Sequence, residues 1–387
     1  MEKGTFTMSG GAVISNNDVY LAKEASIKVT GNLTGTTPVA TITPASYTED
    51  TQVLKAGSDV TLANQVGKFA VTPNSDGNEY WFVDLYGYLG KVPEKETNND
   101  GTAIYLMESY DNLLWIARGL KTGSITSFNM KLTNDIEIPD GKWQFYQLNV
   151  ENASTIDGQG HSITINEDVS SFGNDAGGLF YKLNNSTVKN LVLMGSITAN
   201  TVDGGYIGAL CRSAYRTTIQ NVMSTVEIID EGSGNAGGLV GYFGGNSNMN
   251  EYQPGSFIQN CAVYANIKST NGTVGGLVGG TWDGVQCWQI NNCIYAGTVT
   301  GGTNQGVGAI IGTHNTGRKS TFTDTWYYAN GISEIVGKYN NDGNGEKFDG
   351  YDTVISKSAE EIASEAAAKL LGDAWEYVSG DYPTLKM

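Results

Sequence analysis

The sequence predicts an all-β chain, and more narrowly a right-handed parallel β-helix solenoid, on three observations. Glycine is abundant and proline scarce, 51 and 7 of 387 residues, and only 16% of residues are charged. A pattern of Gly-small-aliphatic-aliphatic, followed by apolar-x-Asn-apolar, recurs from residue 177 onward. Between its copies run short alternations rich in Val, Ile and Thr, such as Thr225-Val226-Glu227-Ile228 and Ala296-Gly297-Thr298-Val299-Thr300, which have the period-2 signature of strands. Glycine nearly twice its usual ~7%, with proline below its usual ~5%, excludes collagen and argues against a disordered Pro/Gly/Ser linker. Here 40% of residues are hydrophobic, which places the glycines inside a folded structure. Helix is disfavoured because each interior glycine costs it about 1 kcal/mol.

The first half of the repeat occurs as Gly177-Gly178-Leu179-Phe180, Gly208-Ala209-Leu210-Cys211, Gly237-Gly238-Leu239-Val240, Gly275-Gly276-Leu277-Val278 and Gly308-Ala309-Ile310-Ile311. The second half occurs as Val188-Lys189-Asn190-Leu191, Ile219-Gln220-Asn221-Val222, Ile258-Gln259-Asn260-Cys261 and Ile290-Asn291-Asn292-Cys293. A fifth, degenerate copy is Phe322-Thr323-Asp324-Thr325-Trp326, with Thr325 standing for the asparagine. From each asparagine to the next glycine the spacing is nearly constant, and the opposite arm absorbs insertions, of which Asn246 to Gly255 is the largest. A unit of this size cannot bury its apolar face alone, whereas stacked units can. In such a stack the asparagines Asn190, Asn221, Asn260 and Asn292 form a ladder. The glycines Gly177, Gly208, Gly237, Gly275 and Gly308 let backbones approach or take positive φ.

These units resemble the GLUG repeats of bacterial surface proteins, which also occur beside the protease domain of some immunoglobulin A peptidases. The turn Ile156-Asp157-Gly158-Gln159-Gly160-His161-Ser162-Ile163 matches one that opens such arrays. Tyr110 to Ala117 resembles the short helix that precedes them, and Ala374-Trp375-Glu376-Tyr377 through Leu385 resembles their close. The resemblance covers roughly residues 105–387 and implies a surface-exposed β-helix.

Four segments follow. Residues 1–93 form an N-terminal β module, with strands such as Ser26–Thr30 and Val39–Thr43, read as the stub of a preceding β-helix. Residues 94–152 are a linker, from Pro93 to Gly101, and a short helical lead-in. Residues 153–335 carry the repeats. Residues 336–387 are a loop and a helical C-terminal cap, opened by a capping box of Ser358 with Glu361; Ile362 to Leu371 is amphipathic and suited to covering the last coil's open edge.

A net charge of −17 repels phosphate, so nucleic acid and anionic membrane surfaces are not expected partners. No run of about 18 apolar residues exists to span a membrane, and the start Met1-Glu2-Lys3-Gly4 has no signal-peptide hydrophobic region. The composition suits an exported protein whose signal has been removed. The four cysteines form no CxxC pair, and Cys261 and Cys293 occupy equivalent repeat positions, which fits buried small side chains. Asn340, Asp342, Asn344 and Glu346 place oxygen ligands at alternate positions, as in a calcium loop, although Tyr351 stands where the twelfth ligand is expected. No cofactor is otherwise expected. Trp282, Trp288 and Tyr252 border the variable loops and suit stacking on sugar faces. Tyr80, Trp81, Tyr86 and Tyr88 form a second aromatic group. No HExxH or G-x-S-x-G motif is present, and Asp203, Asp230, Glu231 and Asp283 form no inferable pair. The expected function is therefore non-catalytic: a bacterial cell-surface scaffold or adhesion module displaying loops to a host or environmental glycan or protein. The alternatives are a glycan-binding or polysaccharide-degrading β-helix enzyme and a passive spacer.

Overall fold

A computed structural model describes residues 6–74, 79–143, 148–175, 177–244, 255–282, 288–303, 305–315, 320–340 and 349–386. The chain forms two compact units, Met1–Thr126 and Ser127–Met387. Strands make up 46% of it. Among the described residues they fall into seven sheets, the largest a mixed sheet of 18 strands, the next of seven and of four strands. This corrects the expectation of a single parallel β-helix, since the sheets are separate, parallel and antiparallel pairings coexist, and no closed solenoid encloses them. The physical reason is that a sequence period dictates which residues stack on which. It does not dictate how the corners join one face to the next, nor what the non-repeating segments do.

In the first unit, Phe6–Gly10, Ile27–Leu33 and Leu54–Ala56 form one parallel sheet, and Asp18–Leu21, Ala40–Pro44 and Phe69–Val71 another. Alternation along Ile27–Leu33 buries Ile27, Val29 and Leu33 and exposes Lys28 and Thr30. Buried Gln65 secures this strand, its Oε1 accepting from Leu33 N at 2.9 Å. Trp81–Val83 and Leu89–Lys91 make an antiparallel hairpin, whose turn is held by the Asp84 carboxylate accepting from Tyr86 N and Tyr88 N at 2.8 and 2.7 Å. A helix follows over Tyr110–Thr122, from Ser109 to a C-cap Gly123 at φ 74°, with Leu113, Leu114, Ile116 and Ala117 buried, as its amphipathic spacing requires.

In the second unit equivalent residues of successive repeats stack in parallel. Ile156, Val188, Ile219, Ile258, Ile290 and Phe322 lie in register and are all buried. The glycines pair in the same way, Gly208 with Gly237, Gly237 with Gly275 and Gly275 with Gly308. Their role is close approach and not positive φ: a Cβ on Gly237 would lie 2.2 Å from Val240 O, and one on Gly275 2.0 Å from Val278 O. At the other corner Asn190, Asn221, Asn260 and Asn292 all have φ between 50° and 54°, the left-handed region asparagine tolerates better than most residues. Asn221 Nδ2 donates to Asn190 Oδ1 at 3.0 Å, and Asn292 Nδ2 to Asn260 Oδ1 at 3.2 Å.

The degenerate copy is shifted by one position from the sequence reading. Asn291 pairs with Thr323, so Asp324, at φ 42°, stands over Asn292. Thr325 instead continues the cysteine column. Cys261 and Cys293 lean their Sγ on the carbonyl two residues back at 3.2 Å, and Thr325 Oγ1 does the same at 3.3 Å. The described cysteines, Cys211, Cys261 and Cys293, are free and buried.

The C-terminal segment also differs from expectation. Its capping box is formed, with Ser358 accepting from Glu361 N and Glu361 from Ser358 N. Two short helices follow, Ala359–Ile362 and Glu365–Leu371, because Ser364 caps the second one afresh. They lie on a sheet face. Ile362, Ala367, Leu371, Trp375 and Leu385 pack with Val192, Ala262 and Ile294, and against these lie Met223 and Trp326. Val192, Met223, Ala262, Ile294 and Trp326 are one register column. The segment thus runs back along the face of the long sheet, and Trp375 Nε1 fastens it by donating to Asn260 O at 3.1 Å.

Candidate ligand groove

Two strand columns border a groove of about 410 Å³ in the second unit. One belongs to the four-strand sheet of Tyr206–Gly208, Asn235–Gly237, Val274–Gly275 and Val307–Gly308. It contributes Tyr206 and Asn235, which pair, and Thr273 lines the groove from just before the third strand. The other belongs to the seven-strand sheet, where Tyr242, Gly280, Thr313 and Lys338 occupy one register position on successive strands. All four line the groove. Gly280 keeps it open, because a Cβ there would stand 3.2 Å from Tyr206 Cε1 and 3.9 Å from Asn235 Nδ2.

The rim is a stack of hydrogen-bonded turns. Ser233 N donates to Thr201 O at 2.7 Å, Asn271 N to Gly232 O at 2.9 Å, and Gly302 N to Gly272 O at 3.0 Å. Beneath the stack, Asp230 is fully buried and accepts from Thr201 N and Thr201 Oγ1 at 2.8 Å, Ser269 Oγ at 3.0 Å and Gly232 N at 3.1 Å. Glycine at 232 and 272 permits the close stacking, since a Cβ at either would fall 1.7 Å from a carbonyl oxygen of the turn below.

Aromatic rings form one wall. Tyr206 and Tyr242 meet edge to face with centroids 4.8 Å apart. The Arg212 guanidinium lies over Tyr206 and Tyr181, at 5.5 and 5.0 Å, and its Nε donates to Asn174 O at 3.0 Å. This clamp holds the Tyr206 ring in place. Burial raises the Tyr206 hydroxyl above its ordinary range, with Arg212 and Asn235 opposing, so Tyr206 is a neutral donor and acceptor. At the floor Thr313 is 7% exposed and its Oγ1 has no hydrogen-bond partner among the described residues. Hydroxyls and amides thus dominate the lining, with Asp203 at one end and Lys338 at the other.

Few of the residues expected to bind from sequence lie here. Trp288 is completely buried, 5.5 Å from Phe322 and 6.5 Å from Phe243 between ring centroids; it is core and cannot stack on a ligand. The side chain of Trp282 and all of Tyr252 lie outside the described residues, as does the Asn246 to Gly255 insertion up to residue 254. Of the suggested calcium ligands, Asn340 ends the strand Val336–Asn340; its side chain, and Asp342, Asn344 and Glu346, lie outside the described residues. Among the described residues no group of three metal-ligating side chains occurs. His161 Nδ1 lies 3.4 Å from Asp135 Oδ1. In the first unit Tyr80 and Tyr88 are exposed, and Trp81 packs on Tyr47 with centroids 6.0 Å apart. Asp111, unremarked in the sequence, has its carboxyl raised to about 8 by burial, by a hydrogen bond with Glu49 and by the charges of Glu49 and Asp84. The groove itself was missed because Tyr206, Asn235 and Tyr242 look like ordinary strand residues until the register is known.

No family model matches this chain, and no curated protein matches it. Among solved structures, a crystal structure named as a putative immunoglobulin A1 protease from Bacteroides ovatus is similar over 75% of this chain and 94% of its own, at 20% identity and a TM-score of 0.46.

Proposed function

We propose that this chain is a non-catalytic scaffold of a bacterial surface protein, exported from the cell, whose second unit holds a glycan in the groove beside Tyr206 and Tyr242. The observation that carries this reading is the combination of a rigid rim, an aromatic wall and a lining of hydroxyls and amides. Ligand sites join apolar surface to a few placed polar groups. A sugar ring offers an apolar face to a tyrosine and hydroxyls to Ser233, Asn235 and Asn271, each able to donate and accept. Glycoside hydrolysis uses two carboxyl groups roughly 5–10 Å apart, whereas Asp203 is the single acid among the described lining residues. Asp230, buried beneath the rim, has its carboxylate occupied by four donors. No helix among the described residues is long and apolar enough to cross a membrane.

The test is binding of the purified protein to an array of linear neutral and acidic oligosaccharides, followed by calorimetry on the best ligand. Tyr206→Ala should weaken binding about tenfold or more, the effect of removing a central aromatic anchor, while the protein stays folded with a melting temperature lowered by the lost packing on Tyr242 and Arg212. The reading is abandoned if no glycan binds, or if reducing ends are released from the bound glycan.

A further inference from the structure

Resting on that reading, we infer that the groove takes a linear glycan carrying one anionic group, carboxylate or sulfate, and that Lys338 binds this group and sets the direction of the chain. The ends of the groove have opposite charge. Asp203 and Gly204 border it beside Tyr206, and Lys338 lies three strands beyond Tyr242 in the same register column. At ~4.8 Å per strand spacing that is about 14 Å, the length of a few sugar units in extended form. The neutral stretch between contains Gly280 and Thr313 on the floor and Asn271 and Gln305 on the rim.

Lys338 lines the groove. A Cβ on Gly306 would fall 2.5 Å from Gly312 O and 2.6 Å from Lys338 Cβ, so glycine at 306 lets the backbone carrying Lys338 approach closely. The Lys338 side chain is exposed and no ion pair holds it among the described residues. In a chain of net charge −17, a lysine with no ion-pair partner among the described residues is a local exception to the field. That field opposes a polyanion but leaves room for one negative group where Lys338 stands. The same argument excludes an anion at the Asp203 end, so the two orientations of a singly charged chain are unequal.

The experiment compares wild type, Lys338→Gln and Tyr206→Ala on matched linear oligosaccharides: neutral, ending in a hexuronate, or ending in a sulfated sugar. Wild type should prefer one or both acidic sets by about fivefold, the size of an exposed charge pair. The preference should shrink with added salt and vanish in Lys338→Gln, whose affinities for neutral and acidic chains become equal. Tyr206→Ala should weaken binding of all three sets about tenfold or more. The hexuronate and sulfate arms decide which anion is taken. Equal binding of neutral and acidic chains by wild type overturns the role of Lys338 and leaves the glycan reading standing. An acidic preference that survives in Lys338→Gln overturns it too. Failure of every set to bind overturns both.

Discussion

Replacing Asp230 tests whether the groove rim is held from below. Its carboxylate accepts four hydrogen bonds, two from the backbone N–H groups of Thr201 and Gly232 and two from the hydroxyls of Thr201 and Ser269, in a site with no solvent exposure. Asp230→Ala strands both N–H groups and the Thr201 hydroxyl, while Ser269 keeps its bond to Gly234 O at 3.1 Å. Each orphaned buried donor costs about 1–3 kcal/mol. Removing a buried charge returns part of that, and a net loss of about 3 kcal/mol remains. At about 2–4 °C per kcal/mol for a unit of this size, the melting temperature followed by circular dichroism should fall by roughly 10 °C. Asp230→Asn separates the hydrogen bonds from the volume. Its carbonyl oxygen can still accept from the two N–H groups, and both hydroxyls can rotate to accept from the new amide, so the cost should stay near 1 kcal/mol. Asp230→Ala should also weaken glycan binding, because the turns carrying Asp203 and Ser233 lose their anchor. The reasoning is refuted if Asp230→Ala melts within about 2 °C of wild type, or if Asn and Ala are equally damaging.

Three further outcomes are expected. Asn221 sits at φ 51° and donates to Asn190, so Asn221→Ala should cost about 2 kcal/mol in chemical denaturation through backbone strain and the lost bond; Asn221→Gly, free of the strain, should cost less than half as much. Gly280→Val should fill the groove beside Tyr206 and reduce glycan binding about tenfold or more while leaving the fold intact, since the new Cβ meets only the Tyr206 ring edge at 3.2 Å within 3.5 Å; loss of binding together with loss of folding would count against the groove. His314 is buried against Thr281, and burial lowers it from 6.5 to about 4. The unfolded chain therefore takes up this proton first. The contribution is fully present above pH 6.5 and is lost as pH falls from 6.5 to 4, at most about 3 kcal/mol from a shift of this size. Asp111, raised to about 8, has the opposite slope in that window, so the measurement is the difference between wild type and His314→Gln. That difference should change between pH 7 and 4, and a flat difference would reject the assignment.

Strand content, the stacking of equivalent repeat positions and the asparagine corner are legible in the sequence, because each depends on local chemistry. Alternation marks strands, and asparagine is one of the few residues at ease at φ near 50°. The Ser358–Glu361 cap is legible for the same reason. The separation into several sheets is not, since repeat spacing says nothing of how corners close. The position of the C-terminal segment is misread for want of a two-sided reading of strands. Leu191-Val192-Leu193 and Ile294-Tyr295-Ala296 are apolar on consecutive residues, and a strand of that kind is covered on both faces. Val192 and Ile294 accordingly face Leu371 and Trp375 and not water. Trp288 is misread in the opposite sense: a tryptophan next to a variable loop looks available, but its ring is buried inside against Phe322 and Phe243.

The groove shows where functional information resides in such a chain. Positions alike in every repeat, the corner glycines and asparagines, answer to a requirement every rung shares, which is close approach or positive φ. They define the stack and cannot distinguish one ligand from another. The groove column is different: one register position is Tyr242, then Gly280, then Thr313, then Lys338. Backbone geometry is the same at each step, so stacking does not account for a ring, a gap, a hydroxyl and an ammonium in that order. Four equal residues would give a surface with no direction along it. Unequal ones give a wall, an opening, a polar floor and a charged end, which suits a ligand whose own units differ from one end to the other. The same comparison can be made at every outward column of the unit. Columns that are uniform report packing, and those that vary in chemistry at constant register are the places to test for binding.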